Sequence, residues 1–398
     1  MTIRVLCLDI EGGFGGSSRS LFQSVKYIDR SKADIAVWCK SAGPIQDQYR
    51  AIGIEPVVFP DMPKVSSLPR FSRNLAVYGK FAMDWLKAST FRDALHVGLG
   101  SYDLVHLNHE ALFWLARDIK KRSAIPVSMH IRTNLWDSTF ATWQCRIAER
   151  YTDARIFITE NERDSFSRHA GHPVSGDVIY NIAVPVDGDV EPWEVPAAFR
   201  AGKTFLIGCL SNYSWTRGTD RLIDLACVLK GMGRTDIGFV VIGKTALTPS
   251  MPAPLGRIAK QGGDLATYAA EMGVADMFHF TGHVSEPERI LALVDMVIKP
   301  TRENNPWGRD ILEAMAAGRP VVSVGPYDRF VESGITGILQ SNWDGEALAT
   351  QLAGLSEDHN RLTGMGRAAR DRIAALCDGA TQSARLLDVW TRIAGTTP

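Results

Sequence analysis

The 398-residue chain sets 44 Lys and Arg against 44 Asp and Glu, for a formal net charge of 0 at pH 7. That balance supplies no field to gather a polyanion, so nucleic acid is excluded as the partner charge alone would select. With 45% apolar and 22% charged residues the composition is that of a globular protein long enough for two domains, and no apolar run approaches the roughly 18 residues of a membrane span.

In chain order, Ile3 to Asp9 reads as a strand entered directly from Met1, without a secretory leader, so a cytoplasmic location is expected. The glycine-rich turn Glu11 to Arg19 follows, then a helix from about Ser18 to Ile28 and a strand from Ile35 to Cys39. Further strands are expected at Leu104 to Leu107, Val127 to His130, Ile156 to Thr159 and Val178 to Ile179. Residues 185–203, rich in proline and acid, read as a linker. A second series then runs Phe205 to Leu210, Phe239 to Ile242, Met277 to Phe280, Met296 to Ile298 and Val321 to Val324. Strand–helix alternation of this kind predicts an α/β fold with two Rossmann-like, doubly wound parallel sheets. The expected domains are 1–190 and 203–377 with a central cleft, and a last helix at about 378–398 packs back on the first.

The six cysteines stand singly, Cys7, Cys39 and Cys209 within strand-like apolar runs, which argues for buried thiols and against a disulfide framework or zinc site. Between 61 and 95 lies a basic, aromatic, amphipathic segment with Leu75, Tyr78, Ala82 and Trp85 at helical spacing. It has two readings: a stripe packed on its own domain, or a peripheral contact with the inner face of a membrane.

Several stretches carry chemistry. In the first turn, Gly15 and Gly16 open a helix, where backbone N–H groups can approach an anion; the turn is neither a dinucleotide fingerprint nor a P-loop, and a plain βα turn is the competing reading. Arg217-Gly218 follows the strand Phe205 to Leu210 and precedes a helix; its guanidinium is either a planar cation for phosphate oxygens or a solvated loop cation. His130 ends its strand at the edge where α/β crevices form; a structural histidine is the competing reading. His106 and His109 show no third metal ligand, so no metal is expected. Most telling is Lys299 to Gly325: a strand ends at Pro300, a loop carries Glu303, Asn304 and Asn305, and Gly308 opens a helix that ends near Gly318. Carboxylate and amide groups beside a helix N-terminus suit a ligand with both hydroxyls and phosphates, as in a nucleotide-sugar.

Pro300-Thr301, Trp307-Gly308 and Glu313-Ala-Met-Ala-Ala-Gly-Arg-Pro-Val321 resemble the donor-site signature of family 4 retaining glycosyltransferases, which have the two-domain GT-B fold. The resemblance implies that Glu313 binds ribose hydroxyls and that Asn305, at the place of a family glutamate, binds the donor sugar with Glu303 in reach. It also implies that Gly15 and Gly16 close on the donor phosphates, that Gly282 and His283 meet the base, and that His130 touches the hexose. Arg217 stands for a family Lys that holds the diphosphate; Cys209 stands where the family has a second cation, and Arg309 is the candidate to replace it. Such an enzyme would use no cofactor besides its donor, UDP-sugar being favoured over GDP-sugar, and a glycan, lipid-linked or small-molecule acceptor. A nucleotide- or glycan-binding protein without transfer, and a sugar-nucleotide epimerase of the same fold, are the alternatives.

Overall fold

Apolar runs cut by glycine and polar turns form parallel strands in two separate sheets. The computed structural model describes residues 2–13, 15–65, 76–135, 137–186 and 188–395. Its chain divides into one unit of Met1–Ile182 with Cys377–Pro398, and another of Ala183–Leu376. In the first unit the strands are Ile3–Asp9 (β1), Ala33–Cys39 (β2), Val57–Val58 (β3), Leu104–Leu107 (β4), Val127–Ile131 (β5), Ala154–Phe157 (β6) and Asp177–Val178 (β7), in the order β3-β2-β1-β4-β5-β6-β7. Those of the second are Phe205–Leu210 (β8), Ile237–Ile242 (β9), Phe278–Gly282 (β10), Met296–Lys299 (β11), Val321–Val324 (β12) and Gly337–Gln340 (β13), in the order β10-β9-β8-β11-β12-β13.

Near-continuous burial along β1 and β9 is what a sheet covered by helices on both faces requires. In each sheet the order reverses beside its first strand, between β1 and β4 and between β8 and β11. Such switch points open a crevice at the strands' carboxyl ends, so the loops leaving those strands are where a ligand belongs.

The helix Gly379–Ala394 at the chain end packs with the first unit. Leu386, Leu387, Val389, Trp390 and Ile393 are all buried, and the Ser383 hydroxyl donates to the Ser24 carbonyl at 2.9 Å. A short helix, Ala197–Arg200, lies within the stretch read as linker. Of segment 61–95, residues 66–75 lie outside the described residues, Leu75 among them. Helix Ala76–Lys87 follows, with Phe81 and Trp85 packed edge-on to Trp114 at 6.0 and 6.4 Å. Phe81 and Trp85 therefore rest on their own unit, while Ala82 of the expected stripe, Met83 and Leu86 are exposed. Among the described residues no helix is long and apolar enough to cross a membrane.

Candidate functional site

In the second unit, the loops after β8 and β11 are sewn together. The Arg302 guanidinium donates to both Asp220 carboxylate oxygens at 2.8 and 2.5 Å, lies 3.6 Å from the Trp215 ring centre and caps the Trp215 carbonyl. Its backbone N–H donates to the Thr216 carbonyl at 2.8 Å, and Arg221 returns the tie by donating to the carbonyls of Pro300 and Thr301. Gly218 (φ 72°) sits where a Cβ would lie 2.0 Å from the Pro300 oxygen, so only glycine allows this approach. The seam holds Thr216, the neighbour of Arg217, against Thr301 and Arg302. Arg217 itself is exposed, and its guanidinium has no partner among the described residues.

Within the second loop, the Thr301 hydroxyl donates to Asn305 Oδ1 at 2.6 Å and accepts from the Glu303 N–H at 3.0 Å. Asn304 takes the left-handed conformation (φ 50°), which asparagine tolerates. Glu303 is exposed and lies 3.4 Å from Asn305 Nδ2. Trp307 is buried, edge-on to Tyr327 at 5.3 Å, so its ring supports the loop. Gly308 (φ 131°) then starts the helix Arg309–Ala316, whose Ile311, Leu312, Ala314 and Met315 are buried. Below this start, the Lys299 ammonium donates to the Trp307 carbonyl and pairs with Asp310 at 3.3 Å.

The expected second cation is differently employed. Arg309 pairs with Glu313 one turn along, at 3.0 Å, and so is not placed as a stand-alone phosphate ligand. Cys209 is buried at the end of β8, its thiol pushed up to about 12 by burial, so that position is neutral. Gly282 (φ 71°) ends β10 and its carbonyl accepts from the Gly243 N–H at 2.6 Å, while His283 is exposed.

In the first unit, polar groups gather behind β1, β4 and β5. Asp9 is fully buried, with Oδ1 accepting from Asn108 Nδ2 at 2.9 Å. Burial raises its carboxyl, opposed by Ser18, Asn108 and Arg132. Arg132 donates to the Asn108 carbonyl, to Asn108 Oδ1 and to Asn181. Glu110 accepts from the Arg132 N–H at 2.9 Å and from the Thr133 hydroxyl. His130 is also buried in this set rather than openly displayed: its Nδ1 lies 3.1 Å from His106 Nε2 and 3.3 Å from Arg132 Nη2. His109 caps the turn Glu110–Leu112 by accepting from the Ala111 N–H. Gly15 is the N-cap of helix Gly16–Tyr27, with the Glu11 carboxylate beside it and Gly16 exposed. Among the described residues no cluster of His, Cys, Asp or Glu fits a metal ion.

Asp9, Asn108, Arg132, Lys299 and Arg302 were not singled out from the sequence. One signal could have found most of them: each is a polar residue at, or just beyond, the carboxyl end of an apolar strand run.

Two family models match the chain. Glycosyltransferase Family 4 covers residues 14–183 and Glycosyl transferases group 1 covers 204–358. The chain is 34% identical over 131 residues to a D-inositol 3-phosphate glycosyltransferase of Thermobispora bispora, a stretch of 32% of this chain and 30% of that protein. It is 28% identical over 257 residues to a GDP-mannose-dependent alpha-(1-6)-phosphatidylinositol monomannoside mannosyltransferase of Mycobacterium tuberculosis, covering 60% and 61% of the two chains. The matches thus span less than two thirds of these relatives. Among solved structures, Anabaena HepE in complex with UDP and glucose superposes with a TM-score of 0.73 at 20% identity over 98% of this chain and all of that one. Sucrose-phosphate synthase from Thermosynechococcus elongatus gives 0.69 at 14% identity over 99% of both.

Proposed function

Because this chain belongs to the family 4 and group 1 glycosyltransferases, with the GT-B fold, we propose that it moves a hexose from a nucleoside-diphosphate sugar to an acceptor with retention at the anomeric carbon. The acceptor is a glycan, a lipid-linked intermediate or a small molecule. One observation carries the reading: an exposed arginine, Arg217, whose guanidinium has no partner among the described residues, on the loop leaving β8 that the Arg302–Asp220 seam fixes at the switch point. A guanidinium is always charged and its fork matches phosphate oxygens. Departure of the nucleotide concentrates negative charge on the diphosphate, and a preoriented cation with a helix start stabilises that charge more than the ground state. Glu313 and Asn305 supply carboxylate and amide groups for ribose and sugar hydroxyls. No protein nucleophile takes part; the acceptor attacks on the face from which the diphosphate leaves. The nucleotide-sugar class is supported by a relative described as GDP-mannose-dependent and a structural neighbour solved with UDP.

The test is nucleotide release. With UDP- and GDP-hexoses offered in turn, one should give slow release of nucleoside diphosphate and the matching diphosphate should raise the melting temperature. Arg217→Ala should cost about 2–4 kcal/mol in kcat/KM, or roughly 30- to 1000-fold. If no nucleoside diphosphate shifts melting at millimolar concentration and none is released, the reading fails.

A further inference from the structure

Behind β4 and β5 runs a chain of hydrogen bonds whose direction follows atom by atom. Trp390, wholly buried on the C-terminal helix, has its Nε1–H 3.4 Å from His106 Nδ1. An indole nitrogen only donates, so His106 Nδ1 is a bare acceptor, and the Ser128 hydroxyl 2.9 Å away donates to it as well. A neutral imidazole with a bare Nδ1 carries its proton on Nε2, the atom that lies 3.1 Å from His130 Nδ1.

The other end gives the same answer independently. Arg132 Nη2 reaches His130 Nδ1 at 3.3 Å, and a guanidinium likewise only donates. His130 Nδ1 is therefore an acceptor from two sides, and a neutral His130 must hold its proton on Nε2. Among the described residues nothing bonds to that Nε2. Burial, helped by the Arg132 charge, drives His106 down to about 3 and His130 well below its ordinary value, so both rings stay neutral.

We propose that Trp390, acting through His106, is a positioning residue that locks His130 as an Nε2–H donor to an oxygen of the bound sugar and bars it from serving as a base. The C-terminal helix is thereby part of the site's hydrogen-bond order as well as of its core. The sugar contact rests on the proposed transfer reaction; the polarity of the chain does not.

Two measurements keep those parts separable. Long-range proton–nitrogen NMR on the full chain labelled with 15N-histidine, assigned with single His→Gln variants, reads each tautomer without any donor. His106 and His130 should both show an unprotonated Nδ1; a proton on either Nδ1 overturns the lock. Kinetics then test its use. His106→Gln keeps an amide donor facing His130 and should stay near wild type, whereas His106→Leu and Trp390→Phe should lose about tenfold in kcat, as when the partner orienting an imidazole is removed. Equal losses in the Gln and Leu variants overturn the positioning role while leaving the transfer reaction standing. If no donor is turned over by the wild type, the transfer reading and the sugar contact fall together, and NMR still decides the polarity.

Discussion

Arg309 and Glu313 sit one helical turn apart, and their pairing fixes what each can offer a ligand. Arg309 approaches Glu313 Oε1 through Nε at 3.1 Å and Nη2 at 3.0 Å, which holds the carboxylate in one orientation. A cation so engaged adds little to phosphate binding, whereas Arg217, with no partner among the described residues, keeps its charge for a ligand. Arg217→Ala should therefore weaken nucleoside diphosphate at least tenfold more than Arg309→Ala does. The free nucleoside, which lacks phosphates, should be indifferent to Arg217→Ala yet bind more weakly to Glu313→Gln. Calorimetric titration with both ligands checks this, and equal losses from the two arginines would place Arg309 on the phosphates. The places of Arg217 on the loop after β8, of Gly308 at a helix start and of Glu313 within that helix were legible in the sequence because each belongs to a short local pattern. Arg302 was not, since its partner Asp220 is 82 residues away and nothing local marks the pair. His130 was legible as a strand-end residue, but its burial depends on Arg132, His106 and a tryptophan 284 residues beyond His106.

At the level of elements, the decisive structure is the seam between the loops after β8 and β11. Arg302 and Asp220 keep only 19% and 6% of their side chains exposed, so the pair lies largely outside solvent screening. Removing one partner of a mostly buried pair strands the other charge, and Arg302→Ala should cost about 3 kcal/mol of stability. Chemical denaturation should show this as a lower midpoint with little change in slope. Gly218→Ala acts differently: its Cβ would meet the Pro300 oxygen at 2.0 Å while leaving the ion pair in place. It should open the seam, displace Arg217 and lower nucleoside-diphosphate affinity more than global stability. Unchanged affinity in Gly218→Ala would show that the loops do not need this close approach. The two strands bearing these loops were readable beforehand, β8 to the residue and β11 one residue short, as were β1, β4 and β12 to the residue, because buried parallel strands are continuous apolar runs. The two strands that escaped notice, Val57–Val58 and Gly337–Gln340, lie at sheet edges. One has only two residues and the other begins with glycine, so neither makes such a run.

Across the whole molecule, two units with separate cores should respond differently to acid. The first contains His106 and His130, buried neutral beside Arg132. Their folded values lie below the unfolded value of about 6.5, so the unfolded chain takes up protons first as pH falls. The stability they contribute is complete above about pH 6.5 and is lost progressively on the descent towards the folded values, of which that of His106 is about 3. At pH 5 each ring should cost up to about 2 kcal/mol. Asp9 works in the other direction, because burial raises its carboxyl and protonation on the way down relieves that strain. Two imidazoles against one carboxyl leave a net loss. Among its described residues the second unit has one lowered histidine, His279, which is only half-buried, alongside a raised Asp224. Between pH 7 and pH 5, scanning calorimetry should therefore move the first unit's transition to lower temperature by more than the second's. In His106→Gln one titrating ring is gone, so the extra movement should shrink by about half. If the first unit's transition holds still, or falls as far in His106→Gln as in the wild type, the buried imidazoles are not the source of acid sensitivity.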